Sequence, residues 1–403
     1  MNTTTENEYI LELCQELMLE HIENNAHLYS KPEFESWIIE NTLDILYDII
    51  GFETPFDDDQ LLHHVHIAFE LCTQILPPRS YQDSPILSTP EISLISTKLN
   101  YLQNLPQPAQ RTTEWYKYRQ EHLTASSIWK AYGSQASKNQ LICSKCKPLD
   151  IEKYNIVNFN SAMHWGNKYE DVSIQLYELK YNTKVSEFGC IPHKHLHFLA
   201  ASPDGINTDV KSDRYGRMIE VKNIVNRDIT GIPKLEYWIQ MQIQMEVCDL
   251  DECDFLETRF IEYEGLEDFE NDGDYMFSKD GKEKGMMMLF MENDIPHYKY
   301  SPRGLDKPSM NLWKHKTIKD NSQFQWQLNY YWKLDQLSLV LVPRNKLWFN
   351  YTKLSIIDIW KIIQHEKLHG YTHRLPKSRT NNIIKVIKKN NNDICMINME
   401  SIC

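Results

Sequence analysis

Apolar residues recur at helical spacing over three N-terminal stretches, 9–22, 33–50 and 60–76, which predicts amphipathic helices within residues 7–75. Prolines at 77, 78, 85, 90, 106 and 108 then mark a linker, broken by one further helical pattern over 92–105. Trp165, Tyr169, Val172, Leu176 and Leu179 describe one apolar face of a helix. Residues 218–222 read as a short strand, with Ile219 and Val221 on one side and Glu220 and Lys222 on the other. Residues 237–247 are divided. Strict alternation of Gln with Met or Ile argues for a strand, whereas Gln, Met, Glu and the nearby Pro233 suit a helix. Beyond residue 274, stretches 286–291 and 338–342 read as strands and 355–368 as a helix. No apolar run approaches the ~20 residues of a membrane span.

Chemistry concentrates around the predicted strand. Asp204 stands in Ser202-Pro203-Asp204-Gly205, sixteen residues before Glu220-Val221-Lys222, and the intervening residues read as a long hairpin loop. Pairing of the strands beside that loop brings Asp204 close to Glu220. Two carboxylates beside an ammonium suit a hard cation such as magnesium, with a lysine left for the attacking water. An isolated Glu-x-Lys is ordinarily a solvated ion pair, so its company matters. Upstream, Glu170 follows Trp165-Gly166-Asn167-Lys168-Tyr169 and sits beside the apolar helical face, able to point towards the sheet. Arg119 and Ser126, seven residues apart, could bind a phosphate through a guanidinium fork and a hydroxyl; the plainer reading is a helix followed by a capping serine.

Six motifs stand in one succession: Glu-Trp-x-x-x-Arg from Glu114, Thr-Ala-Ser from Thr124, Trp-Gly-x-x-Tyr-Glu from Trp165, Ser-Pro-Asp-Gly, Glu-x-Lys, and Tyr-x-x-Gln-x-Gln from Tyr237. This order resembles the phage lambda exonuclease and YqaJ-type viral recombinase family of the PD-(D/E)xK nuclease superfamily, from about residue 114 to about 263. The resemblance implies an α/β, restriction-endonuclease-like core with a central mixed sheet flanked by helices. It implies that Asp204, Glu220 and the Val221 carbonyl bind Mg2+ (Mn2+ substituting), that Glu170 completes the acidic cluster, and that Lys222 orients or deprotonates water. Gln240 matches a glutamine beside that lysine, which tips 237–247 towards helix. Arg119 and Ser126 match residues that hold the phosphate of a DNA 5′ end. The implied activity is 5′-to-3′ exonucleolysis of duplex DNA ends, leaving 3′ single strands for an annealing protein in viral recombination, replication or repair. The phage relative forms a ring around DNA, so a homo-oligomer is a further expectation. A structure-specific endonuclease, or a silent DNA-binding or virion protein, are the alternatives. Two departures stand out: a longer loop between Asp204 and Glu220, and the basic run His193-Lys194-His195-Leu196-His197 where the phage enzyme carries an acid.

Charge refines the picture. Residues 1–60 hold fifteen Asp or Glu against one Lys, which accounts for all of the net charge of −13 and leaves the rest of the chain close to neutral. Residues 374–389 hold six Lys or Arg and no acid, either a phosphate-tracking tail or a solvated terminus. The expected organisation is an acidic helical domain with its Pro-rich linker over 1–105, the nuclease core over 106–275, an α/β extension of it over 276–372, and a flexible basic tail over 373–403. Nine scattered cysteines fit a reducing compartment, and the chain reads as soluble and intracellular. Cys143 and Cys146, with Cys190 and His193, could supply two zinc half-sites. The alternating His193, His195 and His197 suggest an exposed or DNA-facing strand.

Overall fold

A computed structural model describes residues 3–25, 28, 34–51, 56–75, 80–150, 158–293 and 295–376. Three helices open the chain: α1 (Thr3–Asn24), α2 (Phe34–Ile50) and α3 (Asp58–Ile75). Their core is the stripe that the four-residue spacing of Ile10, Cys14, Met18 and Ile22 dictates, closed by Ile38 and Leu46 of α2 and Leu61, Val65 and Ala68 of α3. A mixed α/β body follows this all-helical region.

Its elements run β1 (Tyr81–Gln82), α4 (Ile92–Asn104), α5 (Thr113–Glu121), β2 (Leu123–Thr124), α6 (Ala125–Ile128), α7 (Gln135–Cys146), α8 (Ala162–Tyr181), β3 (Val185–Ser186), β4 (Ile191–Pro192), β5 (Leu199–Ala201), β6 (Gly205–Asn207) and β7 (Met218–Asn223). Then come α9 (Leu235–Cys248), β8 (Glu252–Glu262), α10 (Leu266–Asn271), β9 (Lys284–Glu292), β10 (Ile295–Tyr300), α11 (Lys307–Asp320), β11 (Gln325–Pro343) and α12 (Lys346–His369). The main sheet has the order β10-β9-β11-β8-β7-β6-β3, with β1 pairing β11. Its one parallel pair is β7 with β8; the other pairs are antiparallel. A three-stranded sheet, β2-β5-β4, lies beside it.

The sheet is covered on both faces. Tyr177 of α8 packs with Ile219, Val221, Leu256 and Leu339 on one side. On the other, Met218, Phe255, Val340 and Val342 meet α9 and Trp348 of α12. This is a sheet flanked by helices, consistent with a restriction-endonuclease-like core. The strand expected over 338–342 is the end of the nineteen-residue β11, which pairs β9 and then β8.

Residues 80–105 lie against this body. Ser84 is buried and donates to Asp254, which also accepts from Arg214 at 2.9 Å and Tyr177 at 2.6 Å. Leu99 and Leu102 of α4 join the main core. The charge-rich segment 377–403 falls outside the described residues. Among the described residues, no helix is long and apolar enough to cross a membrane.

Candidate functional site

Gly205 pairs with Ile219, so β6 and β7 form the expected hairpin and set Asp204 beside the middle of β7. Asp204 Oδ2 accepts from the Val221 backbone N–H at 2.7 Å. Gly205 suits this position: a Cβ there would come within 2.2 Å of Val185 Cγ1.

Strand alternation sends Ile219 and Val221 to the α8 side and Glu220 and Lys222 to the α9 side, as the two-residue period requires. The ambiguous stretch is helical. Nine of the fourteen residues of α9 are buried and the rest half-buried, so it has no exposed polar face to reveal a helical period. Gln240 and Gln244, four residues apart on one face, donate from Nε2 to Glu220 Oε1 and Oε2, each at 2.7 Å. Lys222 Nζ donates to Glu220 Oε1 as well. The Glu220 carboxylate is fully buried and engaged on both oxygens. Gln244 is a partner of Glu220 that sequence reasoning missed; its spacing from Gln240 carries the signal only once the helix is known.

Burial raises the Asp204 carboxyl well above the usual range, and the nearby Glu220 and Glu170 raise it further. Burial likewise raises Glu170, while Arg111 pulls it down. For Lys222 burial favours the neutral amine, but Glu220 and Asp204 outweigh it and raise the ammonium above the ordinary lysine range. Of the two roles expected for Lys222, orienting or deprotonating water, the ammonium form that the paired carboxylates favour suits the first.

Glu170 lies on α8, and its Oε2 accepts from Arg111 Nη2 at 2.6 Å. Tyr169, Val172 and Leu176 form the buried face of that helix, whereas Leu179, expected on it, is 62% exposed. The oxygen donors of Asp204 and Glu220 are of the kind a hard cation takes. Burial and then the neighbouring carboxylates disfavour the charged form of Asp204, and a cation would offset both. Among the described residues, no group of three or more His, Cys, Asp or Glu is gathered to hold a metal ion. In this arrangement each carboxylate has another partner: Asp204 the Val221 N–H, Glu220 its lysine and two amides, Glu170 an arginine.

Arg119 and Ser126 do meet, with Nη2 donating to Oγ at 2.9 Å. The Arg119 guanidinium lies 4.2 Å over the Trp115 ring, and Trp115 Nε1 donates to Ser202 Oγ at 3.0 Å, one residue from the Pro203-Asp204 turn. Arg119 and Trp115 border a cavity of about 420 Å3 whose lining includes Arg111, Ser127 and Lys145 and no acidic side chain. Lys145 Nζ donates to the Arg119 carbonyl at 2.6 Å. Burial, then the Arg119 charge, pushes Lys145 down to about 7.

The basic run is a turn rather than a strand. His195 and His197 are exposed as expected, but His193 is buried, and its Nδ1 accepts from the backbone N–H groups of His195 and Leu196 at 3.0 and 2.9 Å. Cys143 and Cys146 occupy the last turn of α7; Cys143 is buried and the Cys146 thiol lies 3.8 Å from the Ile363 carbonyl. Cys190 immediately precedes β4, where burial raises its thiol and Ser202 hydrogen-bonds it.

Comparison with known proteins falls on the same elements. Residues 114–251 match the YqaJ-like viral recombinase domain. That span runs from α5 to the start of β8 and holds every candidate site residue named above except Arg111. A curated relative, an uncharacterized protein of Acanthamoeba polyphaga mimivirus, is 27% identical over 351 residues, covering 76% of this chain. The chain spans 62% of that relative's length. Among solved structures, an alkaline exonuclease from Laribacter hongkongensis is 18% identical with a TM-score of 0.36, over 68% of this chain and 100% of its own. A phage-related exonuclease from Haemophilus somnus 129PT is 16% identical with a TM-score of 0.34, over 60% of this chain and 94% of its own.

Proposed function

We propose that this chain is a magnesium-dependent deoxyribonuclease that degrades duplex DNA from its ends, 5′ to 3′, leaving 3′ single strands for recombination, replication or repair. One observation carries the reading. A buried carboxylate pair with its lysine adjoins an acid-free cavity lined by Arg111, Arg119 and Lys145, and Trp115–Ser202 and Arg111–Glu170 join the two. A terminal phosphate would be drawn into the cavity by Arg119 and Ser126, which sets the next phosphodiester against Asp204 and Glu220. Asp204, Glu220, the Val221 carbonyl and Glu170 would hold the cation. When bound, Mg2+ (or Mn2+) supplies charge neutralisation at the phosphate and lowers the pKa of the attacking water.

The chain's own residues do the rest. Gln240 and Gln244 fix the Glu220 carboxylate in one orientation, as outer-shell partners of a ligand do. Lys222, held as an ammonium beside that carboxylate, directs an N–H towards the water and favours its developing negative charge. The match of residues 114–251 to the YqaJ-like viral recombinase domain is in keeping with this reading. A ring-shaped oligomer and a single-strand annealing partner belong to the same proposal.

Digestion of end-labelled linear duplexes, 5′-phosphorylated or not, with and without Mg2+, tests it alongside a covalently closed circle. Mg2+-dependent loss of the 5′ strand from phosphorylated linear DNA, with the circle intact, is the expected result. Cutting of the circle would assign an endonuclease, and no cleavage of any DNA would leave a binding protein.

A further inference from the structure

Arg111 stands at the seam between the carboxylate cluster and the cationic cavity. Its backbone is left-handed, with φ +64°, a conformation that residues bearing a Cβ rarely adopt. Its neighbours hold it there. Gln110 Nε2 donates to the carbonyls of Phe188 and Pro203, each at 3.0 Å, and the Thr112 hydroxyl caps α5 by accepting from the Trp115 N–H at 3.2 Å. The side chain is 46% exposed and bonds Glu170 at 2.6 Å while lining the cavity. A half-exposed ion pair adds little stability, so folding alone does not account for a strained residue at this point.

We propose that Arg111 is shared between the two sites: in free protein it occupies Glu170, and on DNA binding its guanidinium moves to a backbone phosphate at the cavity mouth and frees Glu170 for the cation. This inference rests on the nuclease reading above. The planar fork of arginine suits either a carboxylate or a phosphate bidentately, so the exchange replaces one charge-assisted pair by another. Because Arg111 and a cation compete for Glu170, and DNA removes the competitor, DNA and cation bind with positive coupling that is equal in both directions. The device would limit cation capture until a phosphate is in place.

Arg111→Gly tests the idea with the fold preserved, since glycine accepts a positive φ without strain. Arg111→Lys retains charge but not the fork. Mn2+ binding is followed by electron paramagnetic resonance, with and without a 5′-phosphorylated duplex whose phosphorothioate linkages block cleavage. Duplex binding is followed by fluorescence anisotropy across a salt series. Without DNA, Arg111→Gly is expected to bind Mn2+ about fivefold more tightly, the low end of measured couplings. Its duplex binding weakens and the salt slope falls by about 1. DNA then no longer enhances Mn2+ affinity, and Arg111→Lys falls between the two. Mn2+ affinity that is unchanged, or that falls together with DNA affinity, overturns the inference and leaves the nuclease reading standing. A wild-type protein that binds no Mn2+ overturns both.

Discussion

Replacing Gln244 by leucine isolates the positioning of Glu220 from the charges around it. Gln244 is 1% exposed, and its Nε2 donates to Glu220 Oε2 at 2.7 Å and to the Ser202 carbonyl at 3.3 Å. A hydrogen bond to a charged group contributes about 1.5–3 kcal/mol. Against that loss, Gln244 Oε1 is buried without a partner, and removing such an atom returns about 1 kcal/mol or more. Leucine has a similar volume but reaches one bond less far, so only a small void is left. The net expectation is destabilisation of about 1 kcal/mol, a shift of roughly 2–4 °C in a thermal melt for a body of this size. The larger effect falls on cation use, where loss of an outer-shell partner costs about 10–100-fold in metal affinity or activity. The assay is cleavage of a labelled duplex against Mg2+ concentration, beside urea unfolding of the same preparations. Gln242→Leu is the control. Gln242 is equally buried and on the same helix, but it bonds the Pro343 carbonyl and the Asn345 N–H. It should lower stability without moving the Mg2+ midpoint. Equal Mg2+ midpoints for Gln244→Leu and wild type, or equal shifts in both leucine variants, would refute the reasoning.

Further outcomes follow from the same geometry. Lys222→Ala and Asp204→Ala should each abolish cleavage while duplex binding stays measurable by anisotropy; full activity in either removes the site assignment. Lys145, pushed down to about 7 by burial and Arg119, loses its proton when folded well before the unfolded chain does. Between about pH 7 and 10 the unfolded state therefore binds more protons, and stability rises with pH by up to ~1.4 kcal/mol per unit. Lys145→Met should flatten that slope in urea melts and be the more stable protein below pH 7. Asp254→Asn leaves the buried Arg214 and Arg217 short of a counter-charge, and the urea midpoint should fall by the equivalent of about 3–5 kcal/mol.

How much of this was legible beforehand depended on the kind of signal. The helices of the N-terminal region and the two faces of β7 follow from periodicity, because each buries one side only. The same test failed on α9, which is buried nearly all round and so presents no period at all. His193, His195 and His197 alternate like a strand, but a ring nitrogen accepting two backbone N–H groups makes a turn instead. The meeting of Asp204 with Glu220 was readable from the Gly205 bend and the hairpin. Gln244 and Arg111 were not, since one needs the helix and the other a left-handed residue ahead of an N-cap, neither of which composition or spacing announces. For Lys222 the two expected roles, orienting or deprotonating water, differ in protonation state, and spacing alone does not weigh burial against the two carboxylates that outweigh it.

Anomalous diffraction from crystals grown with Mn2+ and a cleavage-resistant 5′-phosphorylated duplex tests the central claim most directly. A manganese peak beside the carboxylates of Asp204 and Glu220, within coordinating distance of both, is the predicted result. Well-ordered DNA in the cavity with Lys222 still closed on Glu220 and no peak between the carboxylates would contradict it.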